Sequence, residues 1–360
     1  MMNSASTLFK GSLLLVLGVL AAMSHAAGSN VFKDRLDIPA EISPLAPDSD
    51  LIGVSRIGPN NHIAVGELGH ILLSVDNGKS WIQSPAPLSS TLTSVTFPSP
   101  QQGWAVGHDG VILHTGDGGK QWERQLDGRK IGEIMVAWYL KQPPSDDPQR
   151  AKGMEEAAHF KEEGPSKPLL DVYFENDQSG WVIGSFNMIL KTADGGKTWE
   201  PWMDRIENPN GYSLHAMAAI DGEVYIVGEL GLLVRLDRKQ NRFVALKSPY
   251  VGSYFHLTGK PGVVLIYGLR GNIFRSRDKG ITWQKLDSGI VGGLVGGTYL
   301  DDGRLILISV DGKILLSNND GDTFTPVANS IKGSLTAVAP INSDSVLISG
   351  SRGVHIHSLK

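Results

Sequence analysis

From residue 51 onward, short apolar runs alternate with turn residues, and the runs come in a fixed order. A strand ends in a small residue, two variable residues and a glycine follow, and a second apolar strand begins. The unit stands at Val65-Gly66-Glu67-Leu68-Gly69, at Val106-Gly107-His108-Asp109-Gly110 and at Ile183-Gly184-Ser185-Phe186-Asn187. It returns at Val227-Gly228-Glu229-Leu230-Gly231, Tyr267-Gly268-Leu269-Arg270-Gly271, Ile308-Ser309-Val310-Asp311-Gly312 and Ser349-Gly350-Ser351-Arg352-Gly353. The marker residues Gly66, Gly107, Gly184, Gly228, Gly268, Ser309 and Gly350 lie 41, 77, 44, 40, 41 and 41 apart, so one interval hides an insertion.

A second signal travels with the first. The pattern S/T-x-D-x-G-x-x-W occupies 74–81, 115–122, 192–199 and 276–283, and 317–324 keeps it with Asn319 for the aspartate and Phe324 for the tryptophan. An aspartate can accept backbone N–H bonds while glycine takes positive φ, which suits a tight turn. Asp76, Asp117, Asp194 and Asp278 are therefore read as turn formers, and Trp81, Trp122, Trp199 and Trp283 as the anchors that pack each turn on its sheet. A third strand falls in register at 51–57, 92–97, 169–174, 214–220, 254–260, 294–300 and 335–341. Four strands per unit of about 41 residues, repeated seven times, predict an all-β fold, a seven-bladed β-propeller. Its short helical insertion, 126–168, falls between blades 2 and 3. The seventh unit runs out after its third strand, and residues 31–45, within an N-terminal segment 27–50, are expected to supply the missing outer strand and cover an exposed edge.

The first residues have a different pattern. Lys10, an apolar run over 11–23 and Ser24-His25-Ala26 match a secretory signal, with cleavage expected after Ala26. A retained N-terminal anchor is the alternative. The run is short for a permanent span, no cysteine follows it to carry a lipid, and no later stretch is long and apolar enough to span. The mature chain is expected to be exported, in the periplasm, without a span of its own. Composition narrows the chemistry: with no cysteine there is no disulfide, thiolate nucleophile or cysteine-ligated metal. A net charge of −4 gives no global basic field for nucleic acid.

The glycine tips and Asp boxes over seven units, behind a signal peptide, resemble the photosystem II assembly and stability factor family of β-propellers, within the wider BNR/Asp-box group. The resemblance covers roughly 31–360. It implies a non-catalytic scaffold that binds a membrane protein client, with no cofactor and no metal, monomeric outside its complex. Similar proteins in bacteria without photosynthesis look like exported accessory proteins, in some cases beside RND-type exporters.

In such a ring the tips lie near the axis on one face. They offer Glu67, His108, Asp109, Phe186 with Asn187, Glu229, Arg270, Asp311 and Arg352 as candidate partner-binding residues. The insertion rises from the same face. Within it Ile131, Ile134, Met135, Trp138 and Tyr139 form one apolar stripe on a helix, either packed on its own protein or offered to a partner helix. Pro143-Pro144 ends that helix, and a second, weaker helical stretch is read over 149–162. Asp boxes also occur in sialidases, so a glycoside hydrolase or a lectin is the competing reading. It needs two carboxylates at catalytic separation, or a tyrosine with an arginine cluster. Glu67, Asp109, Glu229 and Asp311 are the carboxylates available, and Arg56-Ile57-Gly58 is the sole echo of a sialidase arginine element. His355 and His357, two apart on a strand, could form half of a metal site, with no third ligand at readable spacing.

Overall fold

Alternation of apolar and polar residues gives the inner and outer strands one buried face each, while the second strand of every blade is mostly apolar, with polar residues such as His62, Glu223, Ser309 and Ser345 at its ends. In the computed structural model, which describes residues 33–360, five of those second strands (for example His62–Gly66, Gly103–Gly107 and Gly180–Gly184) are buried end to end, and the other two are buried after their first residues, Glu223 and Ser345. Both of their faces meet neighbouring blades, as continuous apolar runs require. The strands form seven antiparallel sheets, six of four strands and one of three, each a simple meander. Inner strands begin at Leu51, Leu92, Leu169, Leu214, Tyr254, Leu294 and Leu335, the seven starts expected. Each touches the inner strands on either side, and the last, Leu335–Asn342, touches the first, Leu51–Arg56, so the ring closes. Thr336 Oγ1 donates to the Leu51 carbonyl at 2.7 Å across that closure.

The Asp boxes are turns, as read. In blade 1 the Asp76 carboxylate accepts from Ser74 Oγ at 2.8 Å, from the Ser80 N–H at 2.9 Å and from Ser80 Oγ at 2.6 Å. Asp194 and Asp278 repeat these bonds with Thr198 and Thr282. These donors hold Asp76 and Asp278 down to about 2. Trp122 and Trp199 are buried, and the Trp122 and Trp283 indoles each donate to the carbonyl of the glycine at the fifth box position, Gly119 and Gly280, at 3.1 Å.

The closing strand expected from 31–45 is a correction. Among the described residues the seventh sheet has three strands, and 35–48 instead contains two short turns, Arg35–Asp37 and Ala46–Asp48. Pro39, Pro44 and Pro47 explain this, because each lacks the N–H that a ladder needs. The segment runs beside blades 1 and 2: Ala40 N–H donates to Ala86 O at 3.1 Å and Ser89 N–H to Arg35 O at 2.9 Å. Leu36, Ala40 and Ala46 are its buried anchors. Its end replaces the connection that would lead out of blade 7, since a Cβ on Gly353 would meet the Pro47 carbonyl at 2.0 Å. Residues 31 and 32, and the signal read over 1–26, lie outside the described residues.

The insertion folds as two helices, α1 (Gly128–Lys141) and α2 (Pro148–Glu163). Asp127 caps the first and Asp147 the second, each accepting the N–H two residues on. The helices approach closely at Gly132, where a Cβ would lie 2.4 Å from the Lys161 Cα, and at Gly153, which faces the Tyr139 ring. No helix among the described residues is long and apolar enough to cross a membrane.

Candidate binding face

Seven equivalent hydrogen bonds hold the tips. In each blade the N–H of the first variable residue donates to the carbonyl just before that blade's inner strand. The pairs are Glu67 to Asp50 (3.0 Å), His108 to Thr91 (2.8 Å), Ser185 to Pro168 (3.2 Å) and Glu229 to Ser213 (3.1 Å). Leu269 to Ser253 (3.0 Å), Val310 to Gly293 (2.9 Å) and Ser351 to Ser334 (3.0 Å) complete the ring. The small residue before each tip follows from this bond. A Cβ on Gly66, Gly107, Gly184, Gly228, Gly268 or Gly350 would stand 2.1–2.6 Å from the accepting oxygen. Tips and blade-to-blade connections are thus bonded together on one face of the disc.

Within that frame the second variable residue is the one displayed. Leu68, Asp109, Phe186, Leu230 and Arg270 all have φ between 49° and 58°, in the left-handed region. Leu68 is 53% exposed, Phe186 59% and Leu230 58%. Leu269, Val310 and, in the adjoining connections, Val251 and Val291 add further exposed apolar side chains. The polar candidates divide differently. His108, Arg270, Arg352 and Asp311 are exposed. Glu229 accepts the Ser213 N–H at 2.9 Å, Asp109 accepts Ser90 Oγ at 2.6 Å, Asp311 accepts Ser309 Oγ at 2.6 Å, and Glu67 turns towards the Asp50 N–H at 3.5 Å. Burial and the neighbouring Glu67 carboxylate push Asp50 up. Glu67, Asp109 and Glu229 therefore brace their tips against the connection, and Asp311 braces its own tip. Phe186 lies under the Lys167 ammonium, 4.1 Å from its ring centre, and Asn187 is buried.

The helical pair sits on this face. Gly128 at the start of α1 abuts Gly110 and the Asp109 carbonyl, and Glu156 of α2 accepts from Asn187 Nδ2 at 3.3 Å. The apolar stripe of α1 is spent on the protein's own core: Ile131, Met135 and Tyr139 are buried in the cluster that includes Trp104, Trp181 and Trp202. Ile131, Met135 and Tyr139, expected as partner contacts, are core residues instead. Trp138 is half-buried, edge-on to Tyr139 with ring centres 5.0 Å apart and with the Arg205 guanidinium 5.6 Å from its ring. The Tyr139 hydroxyl donates to Asp204 at 3.2 Å; burial and that carboxylate raise the phenol, and burial raises Asp204.

The remaining candidates are scattered. Arg56 pairs with Asp301 at 3.2 Å. His355 Nε2 meets the Arg352 carbonyl at 2.9 Å, while His357 is buried and Nε2 has no partner. Among the described residues no three histidine or carboxylate side chains gather as a metal site would require.

The sequence matches the family model described as photosynthesis system II assembly factor YCF48 over residues 38–136 and 161–333. The unmatched stretch between them, 137–160, falls within the helical pair. Two curated relatives are named photosystem II assembly lipoprotein Ycf48. That of Picosynechococcus sp. (strain ATCC 27264 / PCC 7002 / PR-6) is 25% identical over 160 residues, covering 43% of this chain and 47% of its own. That of Synechococcus sp. (strain CC9902) is 24% identical over 191 residues, covering 52% and 57%. The chain thus spans about half the length of these curated relatives. Among solved structures, YCF48 bound to D1 peptide superposes with a TM-score of 0.64 at 17% identity, covering 91% of this chain and 98% of that one. YCF48 from Cyanidioschyzon merolae gives 0.61 at 16% over 88% and 97%. Streptogramin B lyase gives 0.65 at 13% over 89% and 98%, so at this identity the likeness carries the fold alone. With blades, tips and boxes in place and the family model matched over most of its length, this chain belongs to the YCF48 family of photosystem II assembly factor β-propellers.

Proposed function

We propose that this protein is an exported, non-catalytic scaffold whose tip face holds a segment of a membrane protein client. One observation carries the reading. Leu68, Phe186 and Leu230 are apolar, displayed to solvent and in left-handed backbone. The conformation costs a non-glycine residue about 1–2 kcal/mol, and exposure returns nothing through burial. Asparagine or glycine would satisfy the turn at lower cost. Apolar residues kept where the fold gains little from them, Phe186 only its contact with Lys167, suit a surface that gains on binding. A relative solved with a D1 peptide bound supports a polypeptide segment as the ligand class. The lipoprotein names of the curated relatives support work at a membrane after export. The resemblance to accessory proteins of RND-type exporters suggests one client to look for.

The test is the variant Leu68→Asn/Phe186→Asn/Leu230→Asn, compared with the wild type by cross-linking in intact envelopes. The variant should melt at the same temperature or higher, because asparagine tolerates positive φ, and should lose its membrane-protein cross-links. Identical cross-linked membrane proteins in variant and wild type would sink the reading.

A further inference from the structure

Six sheets of the ring end in a fourth strand, and the seventh ends in its third among the described residues. That strand, Gly353–Ser358, pairs on its inner side with Ser345–Gly350 along its whole length. Its outer row of N–H and C=O groups has no ladder partner among the described residues, which makes it a template for another strand.

A groove of about 490 Å³ follows this edge, lined by Ile331, Lys332, Arg352, His355, Ile356 and His357. Successive side chains of a strand point to opposite faces, so a groove touched by three consecutive residues runs along the strand's edge rather than across one face. Ile356 is 47% exposed there. His357 is 8% exposed, and its Nε2 has no hydrogen-bond partner. A buried imidazole nitrogen left unpaired is uncommon in a finished core and is one bond short. Lysine and arginine line the groove and no carboxylate does.

We propose that this edge is a docking site for an extended segment of a partner protein, added as the fourth strand of blade 7. Backbone bonds to Gly353–Ser358 would supply the affinity, and side chains would supply the selection. Apolar groups meet Ile331 and Ile356, carboxylates meet Lys332 and Arg352, and a polar atom of the incoming chain completes His357. An extended segment alternating apolar and acidic residues fits all three. The groove takes in Arg352 of the blade 7 tip but none of the displayed apolar tips Leu68, Phe186 and Leu230, so variants at those three test the client reading without altering this edge.

The probe is a fluorescein-labelled peptide alternating valine and glutamate, titrated into the full chain, with a valine–lysine peptide as control. Anisotropy should saturate with the acidic peptide, and the lysine peptide should bind at least about tenfold more weakly. Amide hydrogen exchange should slow along Gly353–Ser358 on binding. Lys332→Glu/Ile356→Asp, both changes at solvent-accessible groove positions, should weaken binding about tenfold or more without moving the melt. Exchange already slow before peptide is added at the N–H groups of that strand that face away from Ser345–Gly350 would overturn the proposal: if independent of protein concentration, the chain fills its own edge, and if concentration-dependent, a second copy does. Peptide protection appearing elsewhere, or equal binding of both peptides, would overturn it too.

Discussion

Asp171 stands on the inner strand of blade 3, where an axial cavity of about 480 Å³ passes through the ring. Its Oδ1 accepts from Ser94 Oγ of blade 2 at 2.7 Å and from the Val172 N–H at 2.9 Å, and its Oδ2 accepts from the Met217 N–H of blade 4 at 2.8 Å. One carboxylate therefore ties three consecutive blades at the axis. Asp171→Ala would strip the acceptor from two backbone N–H groups and a hydroxyl, each worth about 1–3 kcal/mol when left unpaired and buried. Water in the axial cavity can replace part of this, so the net loss should be about 2–4 kcal/mol. For a chain of this size the melting temperature should fall by roughly 3–6 °C. Asp171→Asn keeps one acceptor oxygen and should lose less. The pH dependence adds a second check. Burial pushes the Asp171 carboxyl up, against the pull of the nearby His256 and its three donors, so the folded chain holds this proton to higher pH than the unfolded chain. Its contribution to stability is then fully present below the ordinary aspartate value and is lost as pH rises through the folded value. Asparagine cannot titrate, so the deficit of Asp171→Asn should shrink between pH 4 and 7. Circular dichroism melts and urea titrations across that range measure both effects. A melt of Asp171→Ala within 1 °C of wild type, or a deficit of Asp171→Asn that widens with pH, would refute the three-blade tie.

Two further outcomes are expected. In Gly132→Leu the new Cβ would lie 2.4 Å from the Lys161 Cα, so the helical pair must part. This should cost about 1–3 kcal/mol and expose the segment 126–168 to limited proteolysis well before the blades, and equal resistance in variant and wild type would count against the packing. Asp76 and Asp278, held by serine and threonine donors, should titrate near 2 by carbon-13 NMR. Their folded values lie below the unfolded one, so their stabilisation is present above the ordinary aspartate range and lost as pH falls towards 2. A midpoint near the ordinary value would mean that the box bonds do not persist in solution.

The ring was legible because its turn chemistry repeats. The tip glycines are fixed by an oxygen that would collide with a Cβ, and the box residues by donors two and four positions away, so both print a period on the sequence. The helices were legible from the stripe at Ile131, Met135 and Tyr139 and from the stop at Pro143-Pro144. What the stripe packs against was not, because periodicity states that a face is apolar without naming what covers it. The closing segment misled for a related reason. A missing strand in blade 7 and an unassigned stretch before blade 1 suggested each other, whereas Pro39, Pro44 and Pro47 forbid a continuous ladder and leave Leu36, Ala40 and Ala46 as separate anchors.

At the tips, the positions were found and the displayed side chains were not all found. Charge singles out Glu67, Glu229, Asp109 and Asp311, yet the first three turn to the adjoining connection and Asp311 bonds within its own tip. The signal was the order of residues inside the tip. Once the first variable N–H is committed to the connection and the glycine after the pair lies close under the next, the second variable residue is driven into left-handed backbone and outwards. Five of the seven tips obey this, at Leu68, Asp109, Phe186, Leu230 and Arg270. The frame of seven hydrogen bonds is the same in every blade, whatever occupies the displayed position. The chemistry of the face can therefore change blade by blade at little cost to the fold. A ring built this way separates what holds it together from what it presents, and apolar residues at three of the five left-handed crests are the part that stability alone does not account for.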